Sequence, residues 1–242
     1  MKTQVLIIAT FFATMAIFGQ KKKEVFSQEN YGLNNAGTGL TIQFEKGVEH
    51  NHPLFAVWLA DENGKYIQTL YVSESIGKAV FHRVNRKTGH WKAGEIQRPA
   101  TLPYWAHQRG EKNEFGTYMP TPKQPVADAY TGATPSASFI LHAKTEKPLS
   151  GKYKIMLELN QSWDWNEYWT NDKYPNDKEY KTSSQPALVY SADIDTASPN
   201  QESVLKLIGH SHYSGADGSL DSDLSTITTA LKIAKKITVK LY

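Results

Sequence analysis

The chain has no cysteine. That excludes a disulfide framework, a thiolate metal site and a lipid-anchored cysteine at a processing site. It also lacks a surplus of either charge: the formal net charge is +3 and the charged fraction 21%. No basic stripe with interleaved aromatics is present, so no nucleic-acid partner is expected. Long helical periodicity is scarce. Only one long apolar run occurs, Val5 to Phe18, flanked by Lys2 and by Lys21-Lys22-Lys23. It is too short to span a bilayer comfortably and reads as a Sec-type signal peptide over residues 1–20. The expectation is an exported, periplasmic protein whose mature chain depends on its own core for stability. About 220 mature residues suffice for one such domain.

What is abundant is aromatic: six Trp and thirteen Tyr. Residues 21–37 are polar and Asn/Gly-rich and are expected to be a flexible N-terminal segment. From 38 to 242 the sequence is punctuated by short β-type segments. Leu54 to Ala60 is an apolar run of strand length, Asp61-Glu62-Asn63-Gly64 is a turn signal, and Lys65 to Val72 alternates. This predicts a hairpin over 54–72. Further strands are predicted at 79–84, 138–143, 152–159, 187–194, 204–213 and 233–241. One short helix is expected between Pro99 and Arg109. The pattern is that of an all-β, immunoglobulin-like antiparallel β-sandwich, a single domain with at most one or two short helices. Long loops are expected at 85–127 and 160–186. Loops of that length are usually functional or disordered.

The most informative stretch is Asp128-Ala129-Tyr130-Thr131-Gly132-Ala133-Thr134. It resembles the acceptor motif at which a bacterial FMN transferase esterifies a threonine. Leu54 to Val72, the Gly151-Lys152-Tyr153 strand and the tail from Thr228 to Val239 add to it. Together they are similar to a family of predicted periplasmic proteins, domain of unknown function 2271, over most of 40–242. The resemblance implies an immunoglobulin-like fold, a neighbouring PepSY-type membrane protein and a place in extracytosolic flavin-based electron transfer. It further implies covalent FMN on Thr134, with Asp128 recognised during modification and Thr131 at the alternating Ser/Thr position. Only a hydroxyl can form such an ester. Gly132 leaves the backbone free to enter a cleft and to adopt an otherwise costly turn, and Ala133 keeps the approach uncrowded. Tyr130, or Tyr104 with Trp105, or the Trp163, Trp165, Tyr168 and Trp169 cluster, are candidates to stack on the flavin ring; the last cluster could equally stack on sugars or fold back onto the sandwich as a loop. Lys123 and Arg109 are candidates to pair with the phosphate. An ordinary Asp-capped turn launching a strand would use the same residues.

Two His-x-His pairs, His50/His52 and His210/His212, could each clamp a metal if carried on strands; scattered surface histidines are the plainer reading. Asp217, Asp221 and Asp223 lack the register of a calcium loop and read as turns. Neither a nucleophile elbow nor a P-loop occurs. The resemblance thus implies an electron carrier rather than an enzyme, while nothing in the sequence selects a catalytic pair of carboxylates. The alternative is a non-enzymatic periplasmic binding or accessory module, holding a metal or docking on a membrane protein.

Overall fold

The computed structural model describes residues 25–84, 91–95, 97–126, 130–132 and 134–242, with the backbone alone at 82–84, 91–95 and 130. The apolar leader lies outside the described residues. Among those described, no helix is long and apolar enough to cross a membrane.

Fourteen strands are present among the described residues. They are β1 (Ser27–Tyr31), β2 (Gly39–Lys46), β3 (Leu54–Asp61), β4 (Tyr66–Ser73), β5 (Val80–Val84), β6 (Trp91–Glu95), β7 (Tyr130–Gly132), β8 (Phe139–Lys144), β9 (Lys152–Asn160), β10 (Leu188–Asp195), β11 (Glu202–Val204), β12 (Lys206–Ser211), β13 (Leu220–Asp221) and β14 (Ala234–Leu241). Two short helices join them, α1 (Glu74–Gly77) and α2 (Pro103–Arg109). One sheet runs β1-β8-β2-β14-β11, and the facing sheet runs β13-β12-β10-β9-β3-β4-β7. β5 and β6 form a separate ribbon. This is the expected all-β sandwich with two short helices.

The 54–72 hairpin forms as read. β3 pairs antiparallel with β4, Gly64 takes a left-handed φ of 89°, and the Asp61 carboxylate accepts the N–H groups of Asn63 and Lys65. The unbroken apolar run of β3 has a physical cause. Strand side chains alternate between faces, and both faces of the larger sheet are covered. Phe55, Val57 and Leu59 join Ile155, Leu157 and Leu159 in the core between the sheets. Ala56, Trp58 and Ala60 join Met156 and Val189 in a second core beneath α2.

Glu158 interrupts that outer face. It is fully buried. Leu102 gives α2 no side-chain cap, so the free N–H groups of the helix start need another acceptor. The Glu158 carboxylate supplies it, accepting from Tyr104 at 3.1 Å and Trp105 at 2.7 Å. Burial pushes its pKa up to about 8, against the opposing pull of these donors.

Two features depart from expectation. Residues 27–31 are not loose: β1 pairs in parallel with β8, and Tyr31 packs on Tyr71 with ring centroids 5.0 Å apart. The sandwich is therefore antiparallel except at β1·β8 and β4·β7. The strand read over 204–213 is broken at buried Leu205. β11 pairs with β14 in one sheet and β12 with β10 in the other, so the chain changes sheets there. The 160–186 loop folds back on the core, one of the readings open to it: Trp169 and Tyr180 are buried, and Trp165 and Tyr174 pack against them.

Candidate cofactor-attachment site

β7 is an edge strand. It lies parallel to the end of β4, with Tyr71 opposite Tyr130, Val72 opposite Thr131 and Ser73 opposite Gly132. This short ladder brings the motif to the point where β4 passes into α1. Thr134 follows and is half-buried. Its hydroxyl lies 3.0 Å from Ser73 Oγ. Ser73 is itself buried and anchored to β3, accepting from Phe55 N at 3.0 Å and reaching Phe55 O at 3.3 Å.

A cavity of about 410 Å³ opens at this point. Thr134, Gly132, Ser73, Glu74, Ser75, Lys78 and Val80 line it. Lys78 supplies a cation, with its ammonium 2.7 Å from Glu74. Both groups are half-exposed, so the pair contributes little to stability and can exchange partners. Another cavity of about 390 Å³, walled by Glu62, Lys152, Asp193 and Asp195, touches no motif residue. Size alone therefore does not single out the site; the threonine does.

Gly132 has a reason that differs from the turn conformation expected of it. It sits in β7 and is absent from the left-handed glycines. A Cβ at this position would lie 2.0 Å from Tyr31 Oη. On the other side Tyr71 donates its hydroxyl to Gly132 O at 2.9 Å. Burial pushes the Tyr71 pKa upward, which keeps that donor protonated. The glycine is needed for close approach of two tyrosines. Gly77 plays a similar part, since a Cβ there would lie 2.6 Å from the Thr131 methyl.

Asp128 and Ala133 lie outside the described residues, as does the Tyr130 side chain. Of the other expected neighbours, none lines this cavity. Trp105 is buried under the outer face and donates to Thr69, and Tyr104 packs on Trp58. Trp163 and Tyr168 are exposed on the 160–186 loop. Lys123 pairs with Glu114. Arg109 pairs with Glu111 and lies over Trp105. Ser73 and Lys78, which sequence reading missed, line the cavity instead.

The histidines are dispersed by local structure. His50 and His52 lie in the bend between β2 and β3, not on a strand. His50 packs edge-on against Phe44. His52 is exposed, with Nδ1 3.1 Å from Asn51 Oδ1. His210 lies on β12 and donates from Nδ1 to Ser211 O. His212 stacks on Tyr213. Among the described residues no group of three or more His, Cys, Asp and Glu is placed to hold a metal. Asp217, Asp221 and Asp223 each accept a backbone N–H two residues on, the turn chemistry expected of them.

No protein-family model, curated protein or solved structure matches the chain.

Proposed function

We propose that the protein is an exported electron carrier bearing FMN in phosphoester linkage to Thr134. It acts in an extracytosolic flavin-based electron transfer system, beside a PepSY-type membrane protein and after modification by an FMN transferase. The observation that carries this reading is the Thr134 hydroxyl set in a cavity of about 410 Å³ that also holds the Lys78 ammonium.

The residues fit the group. FMN, when attached, would supply reversible one- and two-electron redox chemistry, which a chain without cysteine has no thiol pair to provide. Thr134 provides the hydroxyl for the ester. Lys78 provides a positive charge for the phosphodiester, in place of Glu74. The tether holds the ring at an effective concentration on the order of millimolar, so the cavity need not bind free flavin tightly. The donor must be an activated flavin dinucleotide, because free FMN has no good leaving group at phosphorus. Thr134 Oγ1 forms the bond to phosphorus, the pyrophosphate bond breaks, and a nucleoside monophosphate departs. The hydroxyl proton passes to a base of the transferase.

Co-expression with an FMN transferase in an exporting host tests the reading. Intact-mass spectrometry is expected to show one FMN adduct, lost completely in Thr134→Val, which keeps size and branching but has no hydroxyl. Wild-type protein that stays colourless and unmodified overturns the proposal and leaves the motif as a strand-launching turn in a binding or accessory module.

A further inference from the structure

We infer that Ser73 is the positioning residue of the attachment site: its hydroxyl orients the Thr134 oxygen for modification and then holds the ester oxygen afterwards. This rests on the proposed FMN linkage and adds a residue that no part of the motif contains.

The argument is one of proton accounting. Ser73 Oγ has Phe55 N, Phe55 O, Thr134 Oγ1 and the Tyr71 hydroxyl as partners. The Phe55 N–H occupies one lone pair. Tyr71 directs its own proton to Gly132 O. Ser73 therefore shares a single proton among Phe55 O, Tyr71 Oη and Thr134 Oγ1. When it goes to either of the first two, Thr134 reaches Ser73 only by donating its own proton inward, and that proton is shielded. If it goes to Thr134 Oγ1, at 3.0 Å rather than 3.3 Å, the Thr134 proton is released toward the cavity. There a base can remove it while the second lone pair of Oγ1 attacks phosphorus.

Only the second arrangement keeps the Ser73–Thr134 hydrogen bond after modification. The ester oxygen has no proton and can only accept. Esterification therefore draws the Ser73 proton toward Thr134 and away from its share on the Phe55 carbonyl. Because Phe55 belongs to β3, the sheet itself fixes where the threonine oxygen stands. Precise placement of a reacting oxygen is worth large factors in rate, and one hydrogen bond of this kind corresponds to about tenfold.

The test follows FMN incorporation by intact mass at limiting transferase. Ser73→Ala is expected to label about tenfold more slowly than wild type at a temperature where both are folded, and to melt lower because the buried Phe55 N–H loses its acceptor. Ser73→Thr restores the hydroxyl and is expected to recover most of the rate. A second measurement uses the wild-type protein alone, so it stands even if the alanine variant does not fold. On modification, the ¹³C carbonyl resonance of Phe55 is expected to shift. Equal labelling rates for folded wild type and Ser73→Ala, or a Phe55 carbonyl resonance unmoved by modification, overturns the inference while leaving FMN attachment intact. Wild-type protein that takes no FMN overturns both.

Discussion

The seven-stranded sheet ends in two unlike edges. At the β7 edge a cavity remains beside Thr134, lined by short side chains together with the ion-paired Glu74 and Lys78. At the β13 edge, Trp169, Tyr174, Tyr180, Tyr213, His210 and His212 pack ring against ring. Lys173 lies over the Tyr168 face at 3.0 Å. The aromatic wealth of the chain is thus spent largely where no motif lies. A protein without disulfides closes that end of its core with rings. The lesson is that aromatic clusters in a sequence mark bulk to be buried at least as often as they mark a ligand.

This contrast can be broken by experiment. The largest effect expected is at the attachment edge, where Thr134→Val removes all covalent flavin but leaves the urea midpoint unchanged. At the opposite edge the reverse holds. Trp169→Ala empties a site that is 6% exposed and is expected to cost about 3–5 kcal/mol in urea denaturation, with flavin loading per folded molecule intact. Loss of flavin in that variant would join the two edges functionally and defeat the comparison.

Glu158 lies between them, and its effect is read through pH. The unfolded carboxyl releases its proton near its ordinary value, whereas the folded one holds it up to about 8. Over that interval the unfolded chain sheds a proton that the folded chain keeps, so stability falls as pH rises and levels off above about 8. Denaturation midpoints across this range are expected to decline, and Glu158→Gln is expected to flatten the slope. The smallest change is Gly132→Ala. Its methyl must displace the end of the Tyr31 ring, at a cost of about 1–3 kcal/mol. Tyr31→Phe in the same background relieves part of it. Thermal melts of the wild type and these two variants check this.

Much of the fold was legible because its signals are local. Asn63-Gly64 announces the first hairpin, and the alternation of β8 and the runs in β9, β10 and β14 mark strands by composition alone. The short helix at α2 is announced by Pro103 at its first turn. The failures share a different cause. β1 and β7 are recruited as parallel edge strands by distant partners, β8 and β4, and neither carries an apolar pattern of its own. The break at Leu205 was hidden because both flanking strands read as one continuous β segment. For the candidate site, Thr134 was proposed from its motif, whereas Ser73 and Lys78 carried no sequence signal, since only the β4·β7 ladder brings them near. Glu158 did leave a trace: a carboxylate inside Ile155-Met156-Leu157-Glu158-Leu159 is anomalous for a buried strand and signals a partner.

The β1 strand also sets an order of events. Synthesis delivers Ser27–Tyr31 first among the described strands, yet its docking surface, Phe139–Lys144, arrives only after Thr134 has emerged. Tyr31 cannot settle against Gly132 until then. A nascent chain therefore passes through an interval in which the threonine is already displayed and its tyrosine latch still hangs open. Slow, long-range closure of this kind makes the docking of β1 a late step in completing the sheet.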